Sequence, residues 1–271
     1  MSEAIEDLEG SGPEARRPDP VVRPITLPVI FEALGEGLRD FQAAPLYGLF
    51  FGAIYAAGGL FIVLAATRLG MGYLPYPTAA GFALLGPFVA VGLYEVSRRR
   101  EHGIPLRWRP ILQVVLDQRH RELGWMAFVT LFVFVVWMYQ IRLLLALFLG
   151  FQSFATFREF LGVVLGTPEG LLFLAIGHVI GAVLSLVLFS LTVVSFPLLL
   201  DRDVDFITAM ITSVRAVTTS PGPMLVWAGI VVVLLIVSLL PAFLGLLVVM
   251  PILGHTTWHL YRRLVEPAPA P

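Results

Sequence analysis

The residues of this 271-residue chain best able to do chemistry are its five histidines, His102, His120, His178, His255 and His259. His255 and His259 lie four apart, which puts both imidazoles on one face of a helix and suits a metal ion. A metal would want a third, acidic ligand there. Glu95 and either Asp201 or Asp203 close apolar runs on the same side of the membrane and could supply it. The other reading of the pair is interfacial, because Trp258 and Tyr261 beside them belong at a headgroup belt. His178 stands alone within a long apolar run. An ionisable group at that depth is costly and often functional. It could ligate haem, relay a proton or hydrogen-bond a neighbouring helix, and a neutral structural histidine is the plainer alternative. Arg142, near the end of another apolar run, either snorkels to headgroups or pairs with Glu159 or Glu169. Asp201-Arg202-Asp203 reads as a helix cap with a surface ion pair, as a cap for the following helix, or as a contact for lipid phosphate.

Other chemistries have no residues to carry them. There is no cysteine, hence no disulfide, thiolate metal site or cysteine nucleophile. There is no GxxxxGK[ST] phosphate loop, no HExxH, and no pair of intramembrane aspartates. Ser185, Ser190 and Ser195 share one apolar run without a GxSxG setting or an evident base. No catalytic, cofactor-binding or metal residue is assigned, and no cofactor is expected. A net charge of -1 gives no reason to expect nucleic acid. The expected surroundings are the lipid bilayer and other inner-membrane proteins.

The elements that position these residues are membrane helices. Hydrophobic residues make up 58% of the chain and charged residues 14%, against about 25% charge in a soluble domain. So much apolar surface needs lipid to cover it. The apolar runs predict an all-α membrane protein with about six transmembrane helices, at 46–66, 78–97, 125–148, 170–200, 222–239 and 241–263. The fourth run is over-long and is expected to tilt or to extend past the interface on one side. The last two are one stretch, with a tight turn expected around Leu239–Pro241 because proline has no N–H to donate. A single kinked segment is the alternative. Residues 1–24, acidic and then rich in Pro and Arg, read as a disordered tail and not as a signal peptide. Residues 25–265 form one helical domain, and 266–271 a short second tail. All 18 basic residues are arginine. Six spans with both termini in the cytoplasm put 15 of those 18 on the inner side, as the positive-inside rule requires. Arg98-Arg99-Arg100 then anchors topology and meets lipid headgroups.

The chain also repeats. Leu27–Ala43 shows Phe31, Leu34, Leu38 and Phe41 at helical spacing, with Glu32, Glu36, Arg39 and Asp40 on other faces. This predicts an amphipathic helix at the membrane surface before the first span. Val204–Thr219 has the same character and aligns without gaps at an offset of 176, matching Ala33 to Ala209, Arg39 to Arg215 and Pro45 to Pro221. Ile111–Leu123 is a weaker third copy. The expectation is three hairpins, each preceded by an interfacial helix. Gly48 with Gly52, and Gly177 with Gly181, are small-xxx-small pairs suited to close packing.

Three segments carry a resemblance: GPFVAVGLYEVSRRRE at 86–101, SFPLLLDRDVDFITAMITSVRAV at 195–217 and PILGHTTWHLYRR at 251–263. They resemble an uncharacterised bacterial family of predicted integral membrane proteins, over about Ile25 to Val265. Some members of that family are labelled cytochrome c oxidase subunit I. The resemblance implies a multi-pass protein of the bacterial inner membrane and brings no activity. A terminal oxidase needs more membrane-embedded histidines than this chain has, since only His178 lies deep in a span. Three classes of function stay open: a non-enzymatic accessory or assembly partner of a membrane complex, a transporter or channel for a small or lipidic solute, and a haem-binding or respiratory-chain protein. The low charge of the spans favours the first.

Overall fold

Proline and polar caps set where the helices start. The computed structural model describes residues 19–67, 89–118, 122–150 and 157–267. In chain order its helices are α1 (Leu27–Ala43), α2 (Pro45–Thr67), α3 (residues 89–101), α4 (Trp108–Gln118), α5 (Glu122–Leu149), α6 (Phe157–Gly166), α7 (Pro168–Thr192), α8 (Ser195–Asp201), α9 (Phe206–Thr219), α10 (Pro221–Leu239) and α11 (Leu246–Leu264). Pro45, Pro168 and Pro221 each occupy a first helical position, where the missing N–H costs nothing. Thr167 caps α7 by accepting from the Gly170 N–H at 3.0 Å, and Asp205 caps α9 by accepting from the Thr208 N–H at 2.9 Å. Ala44 (φ -134, ψ 52) and Ser220 (φ -132, ψ 60) lie 176 residues apart and break α1 from α2 and α9 from α10 in the same conformation. Ser220 also ties the two pairs together, its Oγ accepting from the Ile25 N–H at 2.9 Å.

Among the described residues four stretches are long and apolar enough to cross a bilayer: Pro45–Leu64, Glu122–Leu149, Pro168–Asp201 and Pro221–Leu239. The expected span 78–97 falls partly outside the described residues, and its final part is α3. The last apolar stretch is two helices, with α10 ending at Leu239 and α11 beginning at Leu246. The turn is longer than the Leu239–Pro241 expectation. It runs through Ala242 and Phe243, both with positive φ, a conformation side chains resist. Gly245 closes it, since a Cβ there would lie 2.5 Å from the Ser238 Cα. The fourth stretch is not one continuous helix. It breaks at Val193–Val194, where the Val194 N–H donates to Ser213 Oγ of α9 at 3.1 Å. The short α8 that follows is buried from Ser195 to Leu199.

The centre of the molecule is α11. Leu253, Gly254, His255, Thr256, Trp258, Leu260, Tyr261 and Leu264 are all buried on it. Helix α1 packs across it through a stripe distinct from its apolar face. Ile30, Ala33, Gly37 and Asp40 are buried, whereas Phe31 and Leu38 remain exposed. Gly37 permits the crossing, because a Cβ there would meet the Thr256 N at 2.6 Å. Gly48 and Gly52 bring α2 onto Pro251 and Leu247 of the same helix, and Gly181 brings α7 onto Trp137 of α5. The described residues next to the expected tails pair with each other. The Arg23 N–H donates to Leu264 O and the Glu266 N–H to Val21 O, so residues 21–23 are ordered against the end of α11.

Candidate functional site

The side chains that α1, α3 and α11 bring to one end of the bundle form a connected polar chain. The Ser97 hydroxyl donates to Asp40 Oδ2 at 2.6 Å, so its oxygen is left to accept from His255 Nδ1 at 2.8 Å. That places the His255 proton on Nδ1. Its Nε2 is buried and without a partner among the described residues. Asp40 also accepts from His259 Nε2 at 2.8 Å and from Arg100 Nε at 2.8 Å. His259 Nδ1 faces Glu36 at 3.3 Å, and Glu36 accepts from Arg263 at 2.7 Å. Burial pushes the Asp40 carboxyl up, but the hydrogen bonds from His259, Ser97 and Arg100 outweigh it and hold the group well below the usual carboxylate range. The Arg263 hydrogen bond lowers Glu36 in the same direction.

A second branch holds the neighbouring helices. Glu95 is fully buried and accepts from Arg98 Nε at 2.7 Å and Arg99 Nε at 2.6 Å. Asp201 accepts from the Tyr261 hydroxyl at 2.6 Å. Glu101 accepts from Trp258 Nε1 and from Arg262 Nε, each at 2.9 Å. A cavity of about 510 Å³ opens between the two branches, lined by Glu36, Arg39, Asp40, Glu101 and His259 among others.

Four of the residues singled out in the sequence therefore meet here: Glu95, Asp201, His255 and His259. They do not meet as metal ligands. Glu95 and Asp201 are engaged by arginine and tyrosine, and His259 by carboxylates. Among the described residues no group of three His, Asp or Glu is arranged to hold a metal. Nor is the Asp40–Ser97–His255 chain a nucleophilic triad, because Ser97 gives its proton to the acid and not to the imidazole. Arg202 lies apart, donating to the Glu266 carbonyl. Asp203 is exposed in the turn between α8 and α9, and Arg142 is exposed on α5. The Arg98-Arg99-Arg100 run, read as a topology anchor, also sends all three side chains to the buried carboxylates of Glu95 and Asp40. Sequence reasoning missed Asp40, Ser97, Arg100 and Glu101. Only Asp40 left a signal: it falls three residues from Gly37 and in register with Ala33 and Ile30, on a stripe of small and apolar residues.

His178 is in a different place. It lines a cavity of about 1080 Å³ between α5, α7 and α10, together with Trp137, Leu144, Ser185 and Val232. Its Nδ1–H donates to Leu174 O at 2.7 Å. His102 is exposed and bonds the Arg98 carbonyl, and His120 lies outside the described residues.

Residues 75–201 match the model of a family described as predicted integral membrane protein (DUF2189). The match begins outside the described residues, before α3, and ends with α8, so α1, α2 and α9–α11 lie beyond it. No curated protein and no solved structure matches the chain.

Proposed function

We propose that this integral membrane protein is a non-enzymatic accessory or assembly partner that packs sideways against a larger complex of the bacterial inner membrane. The supporting observation is where the chain buries itself. No residue in the most apolar stretch of Pro168–Asp201 is buried, and only 6% of the corresponding stretch of Glu122–Leu149 is. Helix α5 instead presents Trp125, Phe128, Phe132 and Tyr139 outward. Lipid tolerates such faces, and neighbouring membrane helices bind them through shape and dispersion. The polar end, by contrast, is already occupied with its own partners. The same end gathers Arg98, Arg99, Arg100, Arg262 and Arg263, which the positive-inside rule assigns to the cytoplasm. Both termini lead from that end, since residues 21–23 pair with 264–266.

The test is quantitative mass spectrometry of material co-purified with a tagged copy in mild detergent, against an untagged control. One defined complex recovered in stoichiometric amount is the expected result. Recovery of the bait alone overturns the reading. A second reading, carriage of a small or lipidic solute, is supported by the groove at His178. It requires saturable flux in reconstituted vesicles, and absence of flux across a broad solute panel would remove it.

A further inference from the structure

We propose that the groove between α5, α7 and α10 is a binding site for a membrane-soluble alcohol or phenol, an uncharged apolar molecule whose O–H donates to Nε2 of His178. The imidazole geometry comes first. A carbonyl oxygen only accepts, so the 2.7 Å contact to Leu174 O requires a proton on Nδ1. In a neutral ring that leaves Nε2 as an acceptor. It has no partner among the described residues, and His178 lines the cavity.

Ser185 repeats the pattern. Elsewhere along α7 and the start of α8, Ser190, Thr192 and Ser195 each donate to the carbonyl four residues back. Ser185 makes no such bond, and it lines the same groove. His178 and Ser185 are seven residues apart, hence on one face and about 10 Å apart along the axis. Two unpaired polar groups facing hydrocarbon are costly, because no water at that depth satisfies them. A bound molecule with complementary groups removes that cost.

The groove also selects its occupant. His178 is ten residues beyond Pro168, about 15 Å into α7. A phospholipid headgroup stays at the interface and does not reach it. No arginine lines the cavity, so an anion has no counter-charge. Ketones and esters bring only acceptors, which Nε2 cannot use. A volume of about 1080 Å³ is near the upper end of small-molecule sites, roughly 300–1,000 Å³. A partner transmembrane helix, a cylinder of about 10 Å by 30 Å, displaces more than twice that. Gly229 on α10 lines the groove, and a Cβ there would meet nothing within 4 Å, so that wall is open space.

The groove uses part of the α5 and α7 surface that lateral packing on a complex would also use, but its test does not depend on any protein partner. The full chain in lipid nanodiscs is titrated with 4-(9-bromononyl)phenol, whose bromine quenches indole, and with its O-methyl ether, which lacks the donor. Trp137 lines the groove and is the reporter. The expected result is saturable quenching that Trp137→Phe removes. The ether, and the phenol on His178→Phe, should each bind about fivefold to tenfold more weakly, the loss of one hydrogen bond. Gly229→Leu should abolish saturation while leaving the melting temperature unchanged. Equal quenching by phenol and ether in the unmodified protein would overturn the assignment. So would unsaturable quenching indifferent to Gly229→Leu, which is partition into the bilayer.

Discussion

His255 and His178 carry the same local chemistry in opposite surroundings. Each holds its proton on Nδ1 and each has an Nε2 without a partner among the described residues. His255 is fully buried where α1, α3 and α11 cross, and its bond runs into a chain of Ser97, Asp40, Arg100 and His259. His178 bonds only its own helix and faces a groove large enough for a ligand. The difference is the space around Nε2. At His255 the neighbours are packed so closely that Gly254 could not carry a Cβ without meeting Leu93 at 2.7 Å. An orphaned acceptor there is a cost the surrounding network offsets. At His178 the same acceptor is available. The first region should therefore fail by unfolding when it is altered, and the second should fail only in binding.

The largest effect should come from Asp40. Asp40→Ala leaves Arg100, His259 and the Ser97 hydroxyl without their shared acceptor. Removing one member of a buried ionic set costs about 3–5 kcal/mol. Arg100 reaches water with about a third of its side chain, so the lower end of that range is expected. Unfolding in detergent, followed by tryptophan emission, measures it. Loss of less than about 1 kcal/mol would mean the set behaves as a surface pair.

Packing beneath this network comes next. Gly37→Val drives a side chain into Thr256 and towards the Ile252 carbonyl at 2.9 Å, an overpacking expected to cost about 1–3 kcal/mol. The matched control, Gly229→Ala in the groove, meets nothing and should leave the melting temperature where it was. If both glycines tolerate substitution equally, α1 is not clamped to α11 as described.

Acid sharpens the same contrast. The Asp40 carboxyl sits below its ordinary value of 3.8 in the folded chain. A group depressed by folding lends its full stability above its unfolded value and loses it as pH falls towards the folded one. The contribution of Asp40 is thus complete above about pH 4 and declines below it. Melting temperature against pH should show this acid limb in the unmodified chain and a weaker one in Asp40→Asn. His178→Phe should leave the limb intact.

How much of this was legible follows from what each signal depends on. The helical class and the apolar runs at 46–66, 125–148 and 222–239 come from local composition, and the chain reproduces them within a few residues. The polar chain depends on long-range crossings. Asp40 and His259 are 219 residues apart and Ser97 and His255 158 apart, so no window of sequence contains either pair. The i, i+4 spacing did place His255 and His259 on one helix, but it could not say that an aspartate from α1 would reach one and a serine from α3 the other. The amphipathic reading of α1 was half of the truth. Phe31 and Leu38 do face outward, while the stripe that packs runs through Ala33, Gly37 and Asp40, which carry little hydropathy. The break at Val193–Val194 was hidden for a related reason. Its signal is a hydroxyl on α9, Ser213, that draws the Val194 N–H out of the helical pattern.

The smallest effect on stability is the most discriminating. His178→Phe and Ser185→Ala remove polar groups that no other side chain uses, so neither should lower stability by more than about 0.5 kcal/mol. His255→Phe removes a bond to Ser97 inside a filled core and should cost several times more. A double substitution gives the stricter form of the contrast. His178 and Ser185 lie in a groove with no hydrogen bond between them, so their stability effects should add. Their effects on binding the bromononylphenol should not add if one molecule spans both groups, because losing either contact releases the other. His255→Phe combined with Asp40→Asn should couple in stability itself, through Ser97. If His178 and Ser185 instead couple in unfolding, the groove is part of the packed core, and the distinction between the two histidines is one of position alone.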